Sequence, residues 1–282
     1  MNSKRLKDSL GLGFVIITGL ATIFTVIGFS SKDALPLSGV HWFPAFLVRA
    51  IILVAVYCLI SFVIWLYKGH KYKDSITLRI GKNKVIVKTG DIFSEEAWRV
   101  IPVDTHFDTV VDNDVISEDS LHGQLVLKHG DPGSISAVVK KEAEKRGKKA
   151  DSRGKYTFDL GKAIPYEGKD GHYIMIALTS LNKENEARTS MALYETTLMV
   201  MWREINRVYS GNKIAIPLLG NGITRFDDNQ DEAEKLLRCM LCTLNTSNVH
   251  FKSDITVVIY HSDKENLRLP LYEFKDIFRI VR

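Results

Sequence analysis

The sequence predicts an α/β fold, a three-layer α/β/α sandwich on a mixed sheet, preceded by a two-helix transmembrane hairpin. Three observations carry that expectation. Two long apolar runs without a charged residue, Leu10 to Phe29 and Ala50 to Tyr67, lie close to the N-terminus. Beyond them, short apolar runs of strand length recur with helical patterns between several of them. The third is the segment from Glu186 to Tyr209. There Ala187, Met191, Tyr194, Leu198, Met201, Ile205 and Val208 recur at helical spacing and mark one face for the core.

A helix through the first run, at about 1.5 Å rise per residue, matches the roughly 30 Å hydrocarbon core of a bilayer. The second run ends in Trp65-Leu66-Tyr67, a cluster of amphipathic rings suited to a membrane interface. Lys4, Arg5 and Lys7 precede the first run as they would in a signal peptide, but no convincing cleavage site follows, and the second run completes a hairpin. Lys68, Lys71 and Lys73 follow the second span, whereas the link from Ser30 to Pro44 holds only Lys32. The positive-inside rule then puts both termini in the cytoplasm, the link outside, and the chain in the cell inner membrane as a two-span protein. Arg49, at the outer end of the second span, can snorkel to water.

Charge divides the chain at the same place. Residues 1 to 73 hold eight Lys and Arg against two acids, which leaves 30 against 31 of the chain's 38 and 33 for residues 74 to 282. The basic balance therefore belongs to the membrane hairpin, and a nucleic-acid surface on the cytosolic domain is not expected. Within that domain Lys140 to Lys155 is a basic cluster interrupted by Glu142, Glu144 and Asp151, read as a helix end running into a solvated loop, the alternative being a surface that touches a partner or lipid head groups. Cys239 and Cys242 form a lone C-x-x-C on an expected helix. Without a second ligand pair they read as helical core thiols, not as a metal site.

The expected strands are Thr77 to Ile80, Lys84 to Lys88, Ala97 to Val103, Tyr156 to Leu160, Tyr173 to Leu178, Lys213 to Ile216 and Ile255 to Tyr260. Helices are expected at Glu186 to Tyr209, Asp231 to Leu244 and Leu271 to Ile280.

The stretch that organises a ligand site is Lys213 to Asp227, KIAIPLLGNGITRFD. A buried strand, Ile214-Ala215-Ile216, reaches Pro217, which cannot donate a ladder hydrogen bond. Then come Leu219-Gly220-Asn221-Gly222-Ile223-Thr224, whose glycines and Asn accept positive φ and let successive amides point into one concavity, as a phosphate requires. A tight strand-to-helix turn without a ligand has the same composition. Arg225 and Phe226 follow at once and offer a phosphate partner and a stacking ring, or a surface charge and a core ring. Earlier in the chain, the strand at Lys84 to Lys88 leads into Gly90-Asp91-Ile92. Asp91 suits an exocyclic amine or the cap of a turn. In an open α/β sheet, Asp91, the segment after Val103 and the Gly220 loop converge on one cleft outside the strand carboxyl ends.

An early strand ending in Gly-Asp-Ile and a late strand ending in P-x-x-G-x-G-I together resemble the macro domain, from about Ile76 to the C-terminus. That resemblance implies binding of ADP-ribose or a related nucleotide, with Asp91 and Ile92 at the adenine and Leu219, Gly220, Asn221, Gly222 and Ile223 around the diphosphate. The chain departs from the family after the third strand. Where many macro domains carry Asn-Ala-Ala-Asn and a glycine run, it has Pro102-Val103-Asp104-Thr105-His106-Phe107-Asp108-Thr109. The hydrolytic motif is absent, so catalysis is not expected and the ligand should be an altered ADP-ribose derivative. Asp104, Thr105, His106 and Asp108 are the candidates to meet its distal end. Asp104, His106 and Asp108 could also serve as acid and base, or make local turns.

Two spans, a short link and a cytosolic macro-like domain resemble the membrane-anchored effectors of type II Thoeris anti-phage systems. The resemblance implies a nucleotide signal made from NAD by a TIR-domain partner, no cofactor, homo-oligomerisation on activation, and bilayer damage leading to abortive infection. Gly11, Gly13, Gly19 and Gly28, with Thr18, Thr22 and Thr25, give the first span small and hydroxyl residues for helix contacts. A membrane-tethered ADP-ribosyl hydrolase or nucleotide-cleaving enzyme is the competing expectation.

Overall fold

The computed structural model describes residues 3–26, 42–71, 75–113, 115–180, 188–220, 225–226 and 233–260. It divides into two units, one built on the residues up to Asp74 and the other from Ser75 onward.

The first unit contains α1 (Ser3–Val26) and α2 (Trp42–Lys71). Both are long and apolar enough to cross a membrane, over Leu6–Ile23 and Leu47–Lys68. Phe14, Val15, Ile23, Val54, Leu59 and Phe62 point outward. The two helices meet through small and polar side chains. Ser9 and Ser61 are buried, Tyr57 Oη donates to Leu10 O at 3.1 Å, and a Cβ at Gly13 would collide with the Ser61 hydroxyl. Close helix contact in an apolar medium needs such residues. Of the expected contact glycines, Gly13 serves this purpose, whereas a Cβ on Gly11 or Gly19 would meet nothing within 4 Å. Gly28 and most of the link lie outside the described residues.

The second unit is a sandwich around a seven-stranded mixed sheet. Its strands are β1 (Ser75–Ile80), β2 (Asn83–Thr89), β3 (Trp98–Asp104), β4 (Ala163–Gly168), β5 (Gly171–Thr179), β7 (Ile214–Pro217) and β9 (Ile255–Ile259). They lie in the order β1-β2-β9-β7-β3-β5-β4. The pairs from β2 to β5 are parallel, and the edge strands β1 and β4 are antiparallel to their neighbours. Two-residue strands β6 (Arg188–Thr189) and β8 (Arg225–Phe226) pair separately and in parallel.

One face of the sheet is covered by α3 (Leu121–Gln124), the π turn Leu125–His129 and α4 (Pro132–Lys145). Leu125, Ile135, Val139 and Ala143 pack there with Ile101, Val103, Met175 and Ala177 of the sheet. The other layer is α5 (Met191–Val208) and α6 (Ala233–Thr246), joined by a bond from Trp202 Nε1 to Thr243 Oγ1 at 3.1 Å. Tyr194, Leu198, Met201, Ile205 and Val208 are buried on α5, as the helical spacing predicts.

Two assignments need correction. Tyr156 to Leu160 is not a strand. It is an irregular segment whose Phe158 amide bonds to Thr105 O at 2.9 Å and whose Phe158 ring enters the core, so its alternation reflects a single anchor. The strand lies just after it, at β4, with Pro165 exposed in mid-strand. Proline is tolerated there because β4 is an edge strand. The long helix starts at Met191, not Glu186, because Arg188–Thr189 is extended and Ser190 caps the first turn by accepting from Leu193 N. Ala187 and the helix expected at Leu271 to Ile280 lie outside the described residues.

Candidate functional site

Five parallel strands end at one edge of the sheet, and the register shows that they end together. Thr89 is level with Ile259, Pro217 with Val258, and Asp104 with Thr179. The ladder continues past the strand ends, with Gly90 N bonded to Ile259 O at 2.9 Å, Leu218 N to Val258 O at 3.0 Å and Thr105 N to Thr179 O at 3.0 Å. Asp91, Tyr260, Gly220 and Asp104 therefore emerge side by side, which is where ligands sit in open α/β sheets.

Asp91 caps the short 3-10 turn Ile92–Ser94, its Oδ1 accepting from Phe93 N at 3.0 Å. Its side chain is exposed, and one oxygen has no partner among the described residues. The turn is braced from below. The Ile92 side chain is buried beside Ile101 and Val258, so only its main chain is left for a ligand, and Phe93 stacks on His129 at 4.1 Å and 5°.

On the β7 side, Gly220 is buried with φ +80, a conformation that glycine adopts without strain. Leu219, also buried, is held by its carbonyl, which accepts from Tyr194 Oη at 2.9 Å. Burial pushes the Tyr194 hydroxyl well above its ordinary pKa, so it stays a neutral donor. Asn221, Gly222, Ile223 and Thr224 lie outside the described residues. The main chain at Arg225 and Phe226 pairs with Arg188 and Thr189.

The segment after β3 is built differently. The register shifts between Val103 and Asp104, an irregularity of the kind that re-aims side chains at strand ends. Asp104, 5% exposed, collects the loop around its carboxylate: Oδ1 accepts from His106 N at 2.5 Å and Oδ2 from Asp108 N at 3.2 Å. Two imidazoles flank it, His106 Nδ1 at 3.6 Å and His122 Nδ1 at 3.8 Å. Phe107 takes φ +55 and turns its ring inward against Phe158. Thr105 is buried, its amide and carbonyl both paired. Lys155 Nζ donates to Asp108 at 2.8 Å.

Burial pushes the Asp104 carboxyl up, but the bond to His106, the charge of His122 and the two amides outweigh it and hold the group below its ordinary value. The same bond to Asp104 raises His106. Burial lowers His122 despite its carboxylate neighbour. Asp104 is thus committed to shaping the loop and Asp108 to Lys155. His106 is the member of the group with both an accessible ring and a raised proton affinity. Asp104, His106 and Asp108 also offer one donor atom each within 4.8 Å of one another, a spacing that could hold a metal ion, although a cation there would compete with Lys155 and the amides.

Sequence reasoning names Asp91, Asp104, His106, Asp108 and Gly220 individually. It misses Tyr194, His122, Lys155 and Tyr260, because each reaches this edge from a distant stretch. Tyr260 is the one with a local signal: an aromatic residue directly after the last strand, 58% exposed, between the ends of β2 and β7.

Fold and site together define a three-layer α/β/α domain whose candidate ligand residues lie across the carboxyl ends of a mixed sheet. Residues 85–260 match the family model of the macro domain of Thoeris protein ThsA, and the chain belongs to that family. Thoeris protein ThsA of Bacillus amyloliquefaciens (strain Y2) is 29% identical over 217 residues, covering 73% of this chain and 71% of that one. Similar solved structures include the Oceanobacillus iheyensis macrodomain with ADP (TM-score 0.45, 15% identity, 73% of this chain and 96% of that one). Another is the Trypanosoma brucei macrodomain in complex with ADP-ribose (TM-score 0.41, 9% identity, 65% and 66%).

Proposed function

We propose that this chain is a membrane-anchored anti-phage effector whose cytoplasmic macro domain binds an ADP-ribose-derived signal made by a TIR-domain partner. The observation that carries the reading is the convergence of Asp91, Gly220 and Asp104 on one sheet edge in a chain of the ThsA macro-domain family. The free oxygen of Asp91 receives the adenine amino group, and Tyr260 offers an aromatic face for the base. The amides from Leu219 through Ile223 hold the diphosphate without a Lys or Arg, with Thr224, Arg225 and Phe226 completing the loop. His106 meets the group on the distal ribose. A sensor is favoured over a hydrolase because Asp104 and Asp108 are already occupied by amides and by Lys155, which leaves no uncommitted carboxylate in that loop to activate water.

In this reading α1 and α2 cross the inner membrane with both termini inside. Ligand favours an oligomer in which the spans disrupt the bilayer, and the cell dies before phage spread. Differential affinity for the two assembly states is what makes binding a switch.

The test is titration calorimetry of the full chain in lipid nanodiscs with ADP-ribose and with the NAD-derived products of a TIR-domain enzyme, followed by chromatography of the recovered ligand. Tight binding of a product, recovered unchanged and weakened by Asp91→Ala, supports the sensor. Consumption of the ligand makes the protein an enzyme, and no binding of any nucleotide ends the reading.

A further inference from the structure

The turn that carries Asp91 is tied, through a series of short contacts, to a polar cluster at the amino edge of the parallel strands. There β4 turns into β5, and Asp170 in that turn gathers three donors. Tyr173 Oη donates to its Oδ1 at 2.6 Å, while the buried Arg99 donates to its Oδ2 at 3.0 Å and His129 Nδ1 lies 2.9 Å from the same oxygen. Burial pushes the Asp170 carboxyl up, but the bonds from Tyr173 and His129 and the neighbouring Arg99 charge outweigh it and hold the group below its ordinary value. Burial also pushes the Tyr173 hydroxyl up, so it remains a neutral donor. An ionised carboxylate only accepts, and Nδ1 of His129 therefore carries the proton in that bond.

The His129 ring is fixed through its main chain as well. Its carbonyl accepts from Lys169 N at 2.8 Å, and a Cβ on Gly168 would come within 2.6 Å of that carbonyl, so the β4 to β5 turn lies close against it. One face of the ring meets Phe93 at a centroid distance of 4.1 Å, nearly parallel at 5°. Phe93 passes the constraint on through its backbone: its amide donates to Asp91 Oδ1 at 3.0 Å, and the other carboxylate oxygen is left for a ligand. Ile92 alone would anchor this turn in the core by a single side chain, about which it could still rock. The stack of Phe93 on a ring held at two points removes that freedom.

We propose that His129, oriented by Asp170, is a positioning residue for the base end of the site: through the Phe93 ring it sets the turn that aims the Asp91 carboxylate. The inference rests on the reading of Asp91 as the partner of an adenine amino group. Its consequence is selectivity for the base. A carboxylate oxygen aimed at an exocyclic amine rejects a base that carries a carbonyl at that position, because two acceptors would then face each other. A carboxylate free to swing loses that discrimination while the rest of the nucleotide site is unchanged.

The experiment is titration calorimetry of the full chain in lipid nanodiscs with ADP-ribose and with inosine diphosphate ribose, whose base has a carbonyl in place of the amino group. The wild type should prefer ADP-ribose by about tenfold, the worth of a hydrogen bond to a charged group. His129→Ala and Phe93→Leu should each remove most of that preference by weakening ADP-ribose, leaving inosine diphosphate ribose nearly unchanged. Asp170→Asn, which keeps the shape of the side chain, should do so in part. In an Asp91→Ala background His129→Ala should weaken ADP-ribose no further, since the ring then has nothing to aim. Thermal unfolding identifies any variant that is not folded, and Phe93→Leu, at a half-buried position that stays apolar, decides the matter if His129→Ala is not. Equal loss of both nucleotides in folded variants, or losses that add to that of Asp91→Ala, makes His129 a structural residue and overturns the inference while the nucleotide-sensor reading stands. A wild type without preference between the two nucleotides overturns it as well, because no amino-group contact is then being aimed. The sensor reading itself falls only if the NAD-derived products also fail to bind.

Discussion

The two sides of the sheet's carboxyl edge are built by opposite means. Around Gly220 the chain uses its backbone: a positive φ, a buried glycine, and one carbonyl pinned by Tyr194 Oη. Around Asp104 it uses side chains: a buried carboxylate that gathers two amides and two imidazoles, with Lys155 locking the next acid. A backbone-made loop can present amides to an anion while adding no charge of its own. A side-chain-made loop fixes charges at set points and responds to pH. The first construction fits a group that every ligand of the class carries, such as a diphosphate, and the second a group that distinguishes one ligand from another.

Removing the centre of the side-chain construction should have the largest effect. Asp104→Ala leaves the His106 and Asp108 amides and the buried His122 without their acceptor, and should destabilise the domain by about 3 kcal/mol. Thermal unfolding of the full chain in nanodiscs measures it. Asp104→Asn, which keeps one acceptor oxygen, should lose roughly half as much. Equal, small losses from both would mean that the loop is held by Phe107 and Phe158 instead.

The backbone construction should break at lower stability cost and with a larger change in binding. Gly220→Val forces a β-branched residue to φ +80, a strain of about 1–3 kcal/mol, and should weaken nucleotide binding at least tenfold as the amides turn away. Tyr194→Phe removes the bond that Leu219 O accepts from the Tyr194 hydroxyl, the one it has among the described residues, for about 1–2 kcal/mol. If Tyr194→Phe weakens binding as much as Gly220→Val, the loop is set by its anchor more than by its glycine.

The same contrast explains what the sequence made legible. The core of the fold was readable because hydrophobic period is a local signal. The strands at β2, β5, β7 and β9 and the buried face of α5 all carry it. β4 was not, because Pro165 and Gly168 mask an edge strand, and Tyr156 to Leu160 borrowed the pattern from one buried ring. In the site, Gly220 announces itself by type, since few residues accept its conformation. The Asp104 loop offers candidates but not their state. Only the fold brings His122 against Asp104 and Lys155 against Asp108, 18 and 47 positions further along, and so ties these candidate acid–base residues into one network.

The smallest effect should be the pH response of that network, and its two histidines should pull in opposite directions. His106 has a proton affinity raised by its bond to Asp104. Its contribution to stability is complete below the unfolded value of about 6.5 and is lost as pH rises through its folded pKa. His122 is lowered by burial, so it favours the native state above about 6.5 and withdraws that support as pH falls below this value and through its depressed folded pKa. Asp104, held below its ordinary value, gives stability that is present above about 3.9 and is lost only as pH falls through its depressed pKa. Stability of the wild type should therefore vary little between roughly pH 6 and 7. His106→Gln should remove the alkaline loss, and His122→Gln the loss on the acid side above the carboxylate range. If His106 also meets the distal group of the ligand, its substitution should flatten the pH dependence of binding as well, whereas His122→Gln should leave that dependence in place. A binding profile that follows His122 instead would assign ligand discrimination to the buried ring and return His106 to the role of a loop residue.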